Sequence, residues 1–162
     1  VTRVYVAAGS NVEPVANLRR ALAALRQAFP GLVVSKAYAN KAVGFDGDDF
    51  VNLVVGFDTD AALADVLAVL HAIEVQCGRP REAPKWAPRS MDLDVLLYGD
   101  LVGDFPGAKL PRPDLLKRPY MLGPLAEIAA DVPHPTAGAT IGELWRRFDA
   151  QGHELRPVPG LD

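Results

Sequence analysis

A chain of 162 residues with 49% hydrophobic and 23% charged side chains has the length and composition of one globular domain. That composition excludes a disordered chain, a collagen-like repeat and a coiled coil. The net charge of −3 and a pI of about 5.6 argue against nonspecific binding to nucleic acid. No apolar run approaches the roughly 20 residues that a membrane helix needs. The N-terminal run is too short and interrupted for a secretory signal peptide. A lone cysteine, Cys77, cannot form an internal disulfide and fits a reducing cytoplasm.

In chain order, Thr2 to Ala8 is rich in β-branched and small residues and reads as a strand ending at the turn residues Gly9-Ser10-Asn11. From Pro14 to about Phe29, Leu18, Ala21, Leu22 and Leu25 recur at helical spacing, and Pro30-Gly31 stops the helix. Leu32 to Tyr38 reads as a second strand, Asn40 to Asp49 as a loop, and Phe50 to Phe57 as a third strand with one polar residue, Asn52. Thr59 or Asp60 can cap a second helix running to about Cys77, with Gly78 at its end. A cationic loop follows, and Asp92 to Tyr98 reads as a fourth strand. Beyond it come a proline-rich crossing, helices near Met121 to Ala130 and Ile141 to Asp149, and a polar tail from about residue 151, expected to be loosely held. The order β-α-β-β-α-β is that of an α+β, ferredoxin-like sandwich: an antiparallel sheet with helices on one face, plus the C-terminal helices. One domain over residues 1–162 is expected.

The chemistry concentrates between residues 79 and 94. Asp92 and Asp94 lie two apart on a strand, so both point to one face of the sheet. Two carboxylates on one face repel, and a hard divalent cation such as Mg²⁺ relieves that repulsion; a solvated pair of surface acids is the alternative. Arg79, Arg81, Lys85 and Arg89 stand against one acid, Glu82, in the preceding loop. Guanidinium groups suit phosphate oxygens, although a solvated basic loop would read the same. Trp86 in that loop either closes over a ligand or folds back on the core. Cations beside metal ligands are the equipment of phosphoryl transfer. Neither a P-loop nor a kinase H-R-D or D-F-G pattern occurs. An RNA-recognition module shares the strand order, but DLDVLLY places carboxylates where RNA would lie. His71, His134 and His153 lack ligand spacing, and Cys77 reads as a buried helix residue.

The segment Lys85-Trp86-Ala87-Pro88-Arg89-Ser90-Met91-Asp92-Leu93-Asp94-Val95-Leu96 resembles the motif of the 6-hydroxymethyl-7,8-dihydropterin pyrophosphokinases of folate synthesis. Gly9-Ser10-Asn11, Phe50-x-Asn52, Glu74 with Gly78-Arg79, and Arg118-x-Tyr120-Met121-Leu122-x-Pro124-Leu125 also match, over roughly residues 2 to 148. The resemblance implies transfer of pyrophosphate from ATP to the hydroxymethyl group of the pterin, releasing AMP. It implies that Asp92 and Asp94 hold two Mg²⁺ ions. Arg79 and Arg89 would contact phosphates, and Arg81 and Trp86 would sit on a loop closing over ATP. Glu74, Arg112 and Arg118 would also lie on the ATP side, with Val95 and Leu96 near the adenine. Phe50 and Tyr120 would sandwich the pterin, Asn52 would read its hydrogen-bonding edge, and Val43 and Gly44 would line its pocket. A cytoplasmic monomer with no nucleic-acid or membrane partner is expected. A non-catalytic nucleotide-binding relative would keep the phosphate and metal groups without pterin recognition.

Three positions depart from the family pattern. Arg112 stands after Pro111 where a histidine is common, Asn40 to Gly44 lacks the usual Thr-x-Pro, and Tyr120 replaces the commoner phenylalanine. Phe50 and Tyr120 taken without the resemblance would read as core aromatics and Glu74 as a helix-surface charge; Gly9-Ser10-Asn11 reads as mainly structural even with it.

Overall fold

Two strands carry almost continuous apolar runs, and continuous runs are what strands buried on both faces require. The computed structural model describes residues 1–40, 50–78, 91–148 and 155–161. In it these runs form β1 (Thr2–Ser10) and β4 (Phe50–Thr59), paired antiparallel at the centre of the sheet. The remaining strands of this sheet are β2 (Val33–Val34), β3 (Ala37–Asn40), β5 (Asp92–Tyr98) and a C-terminal β8 (Arg156–Val158). Their order is β5-β1-β4-β3-β8, with β2 also against β4. This is the expected ferredoxin-like arrangement, antiparallel throughout.

Helices α1 (Pro14–Ala28) and α2 (Leu63–Gln76) cover one face, packing Leu18, Leu22, Leu25, Val66, Leu70 and Ile73 onto Val4, Val6, Leu53, Val55 and Val95. The ring of Phe29, at the end of α1, stacks on Phe57 with centroids 3.8 Å apart. The C-terminal helices α3 (Pro119–Ala129) and α4 (Ile141–Arg147) lie on the opposite face, over Tyr5, Ala7, Val54, Leu96 and Leu97. A register shift in the β1–β5 pairing at Tyr5/Val6 lets consecutive residues Leu96 and Leu97 share that second core. The sheet is therefore covered on both faces.

Local details differ from the expectations for physical reasons. The expected second strand is broken into β2 and β3 because the Ser35 hydroxyl enters the ladder, with Val54 N donating to Ser35 Oγ at 2.9 Å. Neither Thr59 nor Asp60 caps α2. Ala62 is the cap residue and makes no side-chain bond, while Thr59 Oγ1 accepts from Ala61 N at 3.0 Å and turns the chain before the helix. The proline-rich crossing holds a small hairpin, β6 (Gly103–Phe105) and β7 (Ala108–Leu110), followed by a 3₁₀ turn at Pro113–Leu116. Helix α3 begins at Pro119, suited to a first helical position, and α4 carries a capping box between Thr140 and Glu143.

The tail is not loose over its described residues. Strand β8 pairs with β3, and Leu161 is buried in the first core. A three-residue strand containing a proline has no periodicity to reveal it. The neighbouring Tyr38 on β3 donates its hydroxyl to Glu127 of α3, whose other oxygen accepts from Lys36 N at 3.1 Å. That carboxylate fastens α3 to the sheet edge.

Two predictions follow from this packing. Phe57→Ala removes a fully buried ring and is expected to lower stability by about 3–5 kcal/mol in urea denaturation. Burial, then the bond to Glu127 and its charge, push the Tyr38 phenol up to about 12. A phenol raised by folding contributes fully below its ordinary value and loses that contribution as pH climbs through the folded one. Absorbance titration should show one tyrosine ionising near 12 that is missing in Tyr38→Phe; a phenol at position 38 titrating normally would contradict the clasp.

Candidate active site

Register decides which side chains meet. Gly9 of β1 lies opposite Asn52 of β4 on one side and Asp92 of β5 on the other, and Asn52 lies opposite Tyr38. Cross-strand partners share a face, so Asp92, Gly9, Asn52 and Tyr38 form a row across four strands. In the next row, Asp94, Ala7 and Val54 run beneath α3. With strands about 4.8 Å apart, the backbones of Asp92 and Asn52 are separated by roughly 10 Å. Both aspartates are partly exposed, as is Phe50 one step beyond Asn52 on the same face.

Gly9 makes this row possible. A Cβ there would come within 2.4 Å of Asn52 Oδ1 and 4.0 Å of the Phe50 ring. The Asn52 amide thus leans into the space a side chain at position 9 would fill, and its Nδ2 donates to Asn40 Oδ1. Gly9 is therefore part of the site rather than only a turn residue, and both Gly9 and Ser10 belong to β1 itself. Its sequence signal was a glycine ending an apolar strand, which often marks close approach.

Glu74 is not a helix-surface charge. It is 7% exposed, and its Oε2 accepts from Leu93 N at 2.8 Å, between the two aspartates. Its Oε1 lies 3.6 Å from His71 Nδ1. Glu74 thereby anchors the strand that presents Asp92 and Asp94. Val95 is buried in the α1–α2 core and Leu96 in the α3 core, so contact of either with a nucleotide would come from backbone atoms. The Leu96 carbonyl is taken by Arg112 N at 3.0 Å.

The far wall is the entry to α3. Tyr120 is half-buried at its first turn, and burial raises its phenol; Asp114 and Asp94 add to that rise, while Arg118 and Arg112 oppose it. Arg112 lies 3.6 Å from Asp94 and 3.8 Å from Asp114, and Arg118 is exposed at the N-cap position of α3. Val43, Gly44, Arg79, Arg81, Trp86 and Arg89 lie outside the described residues. His134 is buried in a loop, its Nδ1 accepting from Thr136 N and Ala137 N, which closes that turn.

The site therefore offers two carboxylates with Arg112 beside one of them, and an amide in the same row with Phe50 close by. Residues 5–130 match the family model of 7,8-dihydro-6-hydroxymethylpterin-pyrophosphokinase. The chain belongs to that family. A 2-amino-4-hydroxy-6-hydroxymethyldihydropteridine pyrophosphokinase of Pseudomonas aeruginosa is 38% identical, over 97% of this chain and 98% of the relative. Proteins of the same name from Synechocystis and Aquifex aeolicus are 36% and 35% identical, over 97% and 82% of this chain and 81% and 83% of theirs. Among solved structures, a HPPK-DHPS in complex with substrates superposes with a TM-score of 0.66 at 11% identity, over 90% of this chain and 43% of that one. Plasmodium falciparum HPPK-DHPS with SDX-DHP gives the same TM-score at 13% identity, over 91% of this chain and 43% of that one. At such identity these structures show the shared fold alone, and this chain spans less than half their length.

In this pyrophosphokinase, Gly9→Ala is expected to lower stability by about 1–3 kcal/mol and to shift the Asn52 side-chain amide resonances. An unmoved Asn52 signal would show that the amide does not depend on Gly9. Glu74→Ala, which strands the buried Leu93 N–H, should lower stability by about 1–3 kcal/mol in denaturant titration.

Proposed function

We propose that this family member transfers pyrophosphate from ATP to the hydroxymethyl group of 6-hydroxymethyl-7,8-dihydropterin and releases AMP. The observation that carries this reading is the row Asp92–Gly9–Asn52, with Asp94 in the next row, which sets two acids and an amide on one face of one sheet end. Pyrophosphoryl transfer to hydroxymethyldihydropterin in folate synthesis is the reaction of the family to which the chain belongs.

In the proposed step the hydroxyl oxygen of the pterin attacks the β-phosphorus of ATP. An O–P bond forms, the bond from that phosphorus to the oxygen it shares with the α-phosphate breaks, and AMP leaves with that oxygen. The hydroxyl proton passes to solvent or a phosphate oxygen; we assign no side chain as base. Such a reaction asks for in-line placement and charge neutralisation more than for a strong base.

Asp92 and Asp94 would hold Mg²⁺, two ions with ATP. The donor set fits: two hard carboxylates on one face, with side chains reachable from solvent. Among the described residues no group of three or more such ligands occurs, so phosphate and water oxygens would complete the coordination. Bound there, Mg²⁺ would supply charge neutralisation to the phosphate oxygens. Arg112 and Arg118 would hold phosphates from the α3 side, joined by Arg79 and Arg89, with Arg81 and Trp86 on a loop closing over ATP and Glu74 steadying β5. Phe50 and Tyr120 would take the pterin between their faces, where each ring contact is worth about 0.5–1.5 kcal/mol beyond burial. Asn52, with an amide that both donates and accepts, would read the pterin edge, with Val43 and Gly44 closing the pocket.

The reading includes a monomer of one domain working in the cytoplasm. The single cysteine suits the reducing compartment of that reading; among the described residues no helix is long and apolar enough to cross a membrane.

AMP release measured with ATP and Mg²⁺ should depend on the dihydropterin. AMP formed equally without pterin, or none with it, overturns the assignment. Asp94→Ala should lower turnover by about a thousandfold or more, as loss of a charge-stabilising group in a transition state does, with unchanged circular dichroism. Near-normal turnover would remove Asp94 from the metal site.

A further inference from the structure

Arg112 links the carboxylate face to the entry of α3, and its environment is unusual for a phosphate-binding arginine. The backbone N–H of Arg112 donates to Leu96 O at 3.0 Å, which ties the residue to the middle of β5. Its guanidinium lies between two acids, with Nη1 3.6 Å from Asp94 Oδ1 and Nη2 3.8 Å from Asp114 Oδ2. Both distances exceed the roughly 2.7–3.2 Å of a hydrogen bond, so the contacts are coulombic and not bidentate. Nε is buried and has no acceptor among the described residues. The Arg112 and Asp94 side chains are 29% and 35% exposed, a part-buried pair that salt screens less than a surface one.

A cation shared between two carboxylates can release one and keep the other. Resting on the reading of Asp92 and Asp94 as the cation face, we infer that Arg112 is a positioning residue that acts as a resident counter-charge for Asp94. It holds that carboxylate in place and competes with a bare divalent cation for it. When cation and triphosphate arrive together, Asp94 goes to the cation and the guanidinium, still anchored by Asp114, goes to phosphate oxygen. Nε, which has no acceptor among the described residues, then gains one in a phosphate oxygen. The site thereby favours the nucleotide–cation complex over the free cation, because only the complex brings an anion for Arg112.

The test uses the full chain with Mn²⁺ alone as the probe, its free concentration followed by electron paramagnetic resonance at low ionic strength. Arg112→Gln should bind Mn²⁺ about five- to tenfold more tightly than wild type, the scale expected for losing one part-buried charge pair. The same variant should bind α,β-methylene-ATP with Mg²⁺ more weakly by a similar factor. A merely structural role cannot give opposite signs, since a collapsed site loses both ligands. Asp114→Asn, which leaves Arg112 wholly to Asp94, should weaken Mn²⁺ binding, and Arg112→Lys should restore wild-type Mn²⁺ affinity. Unchanged or weaker Mn²⁺ binding in Arg112→Gln overturns the inference, as does failure of both proteins to bind Mn²⁺ at millimolar concentration. In the Arg112→Gln/Asp94→Ala double variant the gain should vanish. A gain that persists there instead removes Asp94 as the cation ligand, and the reading of the metal face falls separately.

Discussion

The arrangement of this site hangs on the register of β1 between β4 and β5. Side chains on a strand alternate faces, so a slip of one residue would turn Gly9 into a core and move Ala8 into the row with Asn52 and Asp92. The register is held by what lies further along the same strand. Val4, Val6 and Ala8 are buried against α1 and α2, while Tyr5 and Ala7 are buried against α3 and α4. Both faces of β1 are committed to a core, and neither tolerates the exchange. Burying two apolar faces thus has a local consequence at the end of the sheet where Gly9, Asn52 and Asp92 stand side by side.

The two covers play different parts. The α1–α2 layer supplies most of the hydrophobic packing and, through Glu74, a buried acceptor for the Leu93 N–H that steadies β5 between its aspartates. The α3–α4 layer brings the cationic wall. Tyr120 and Arg118 stand at the start of α3, Arg112 is tied to Leu96, and Glu127 fastens the helix to Lys36 and Tyr38 at the sheet edge. Helix α3 is thereby fastened near its C-terminal end to the sheet edge, and the segment leading into it is tied to β5 through Arg112. The close approach of α4 to α3 at Gly123, where a Cβ would meet the Trp145 ring at 2.9 Å, keeps that wall in place.

A charge balance runs through the whole site. Two carboxylates on one face would repel if left alone, and here Arg112 is the cation nearest Asp94 among the described residues, at 3.6 Å. The same cation also faces Asp114, so the neutralisation is shared. Such sharing suits a site whose charges must be rearranged when a polyanion and its cation bind.

Much of this was legible in the chain itself. The periodicities of Leu18, Ala21, Leu22 and Leu25, and the double-faced apolar runs of β1 and β4, determine the helices and central strands by elementary burial. The spacing of Asp92 and Asp94 places both on one face by the geometry of any strand. Ordered motifs from Gly9 to Leu125 carry the family. Tertiary structure alone decided that Gly9 gives room to Asn52, that Glu74 turns inward to a backbone amide, that Arg112 sits between two acids, and that residues 156–158 close the sheet edge. Periodicity records which face of an element is buried; it does not record which partner that face meets. Apart from the Arg112–Asp114 pair, those contacts join residues well separated in sequence, and they exist only once the sheet has set its register.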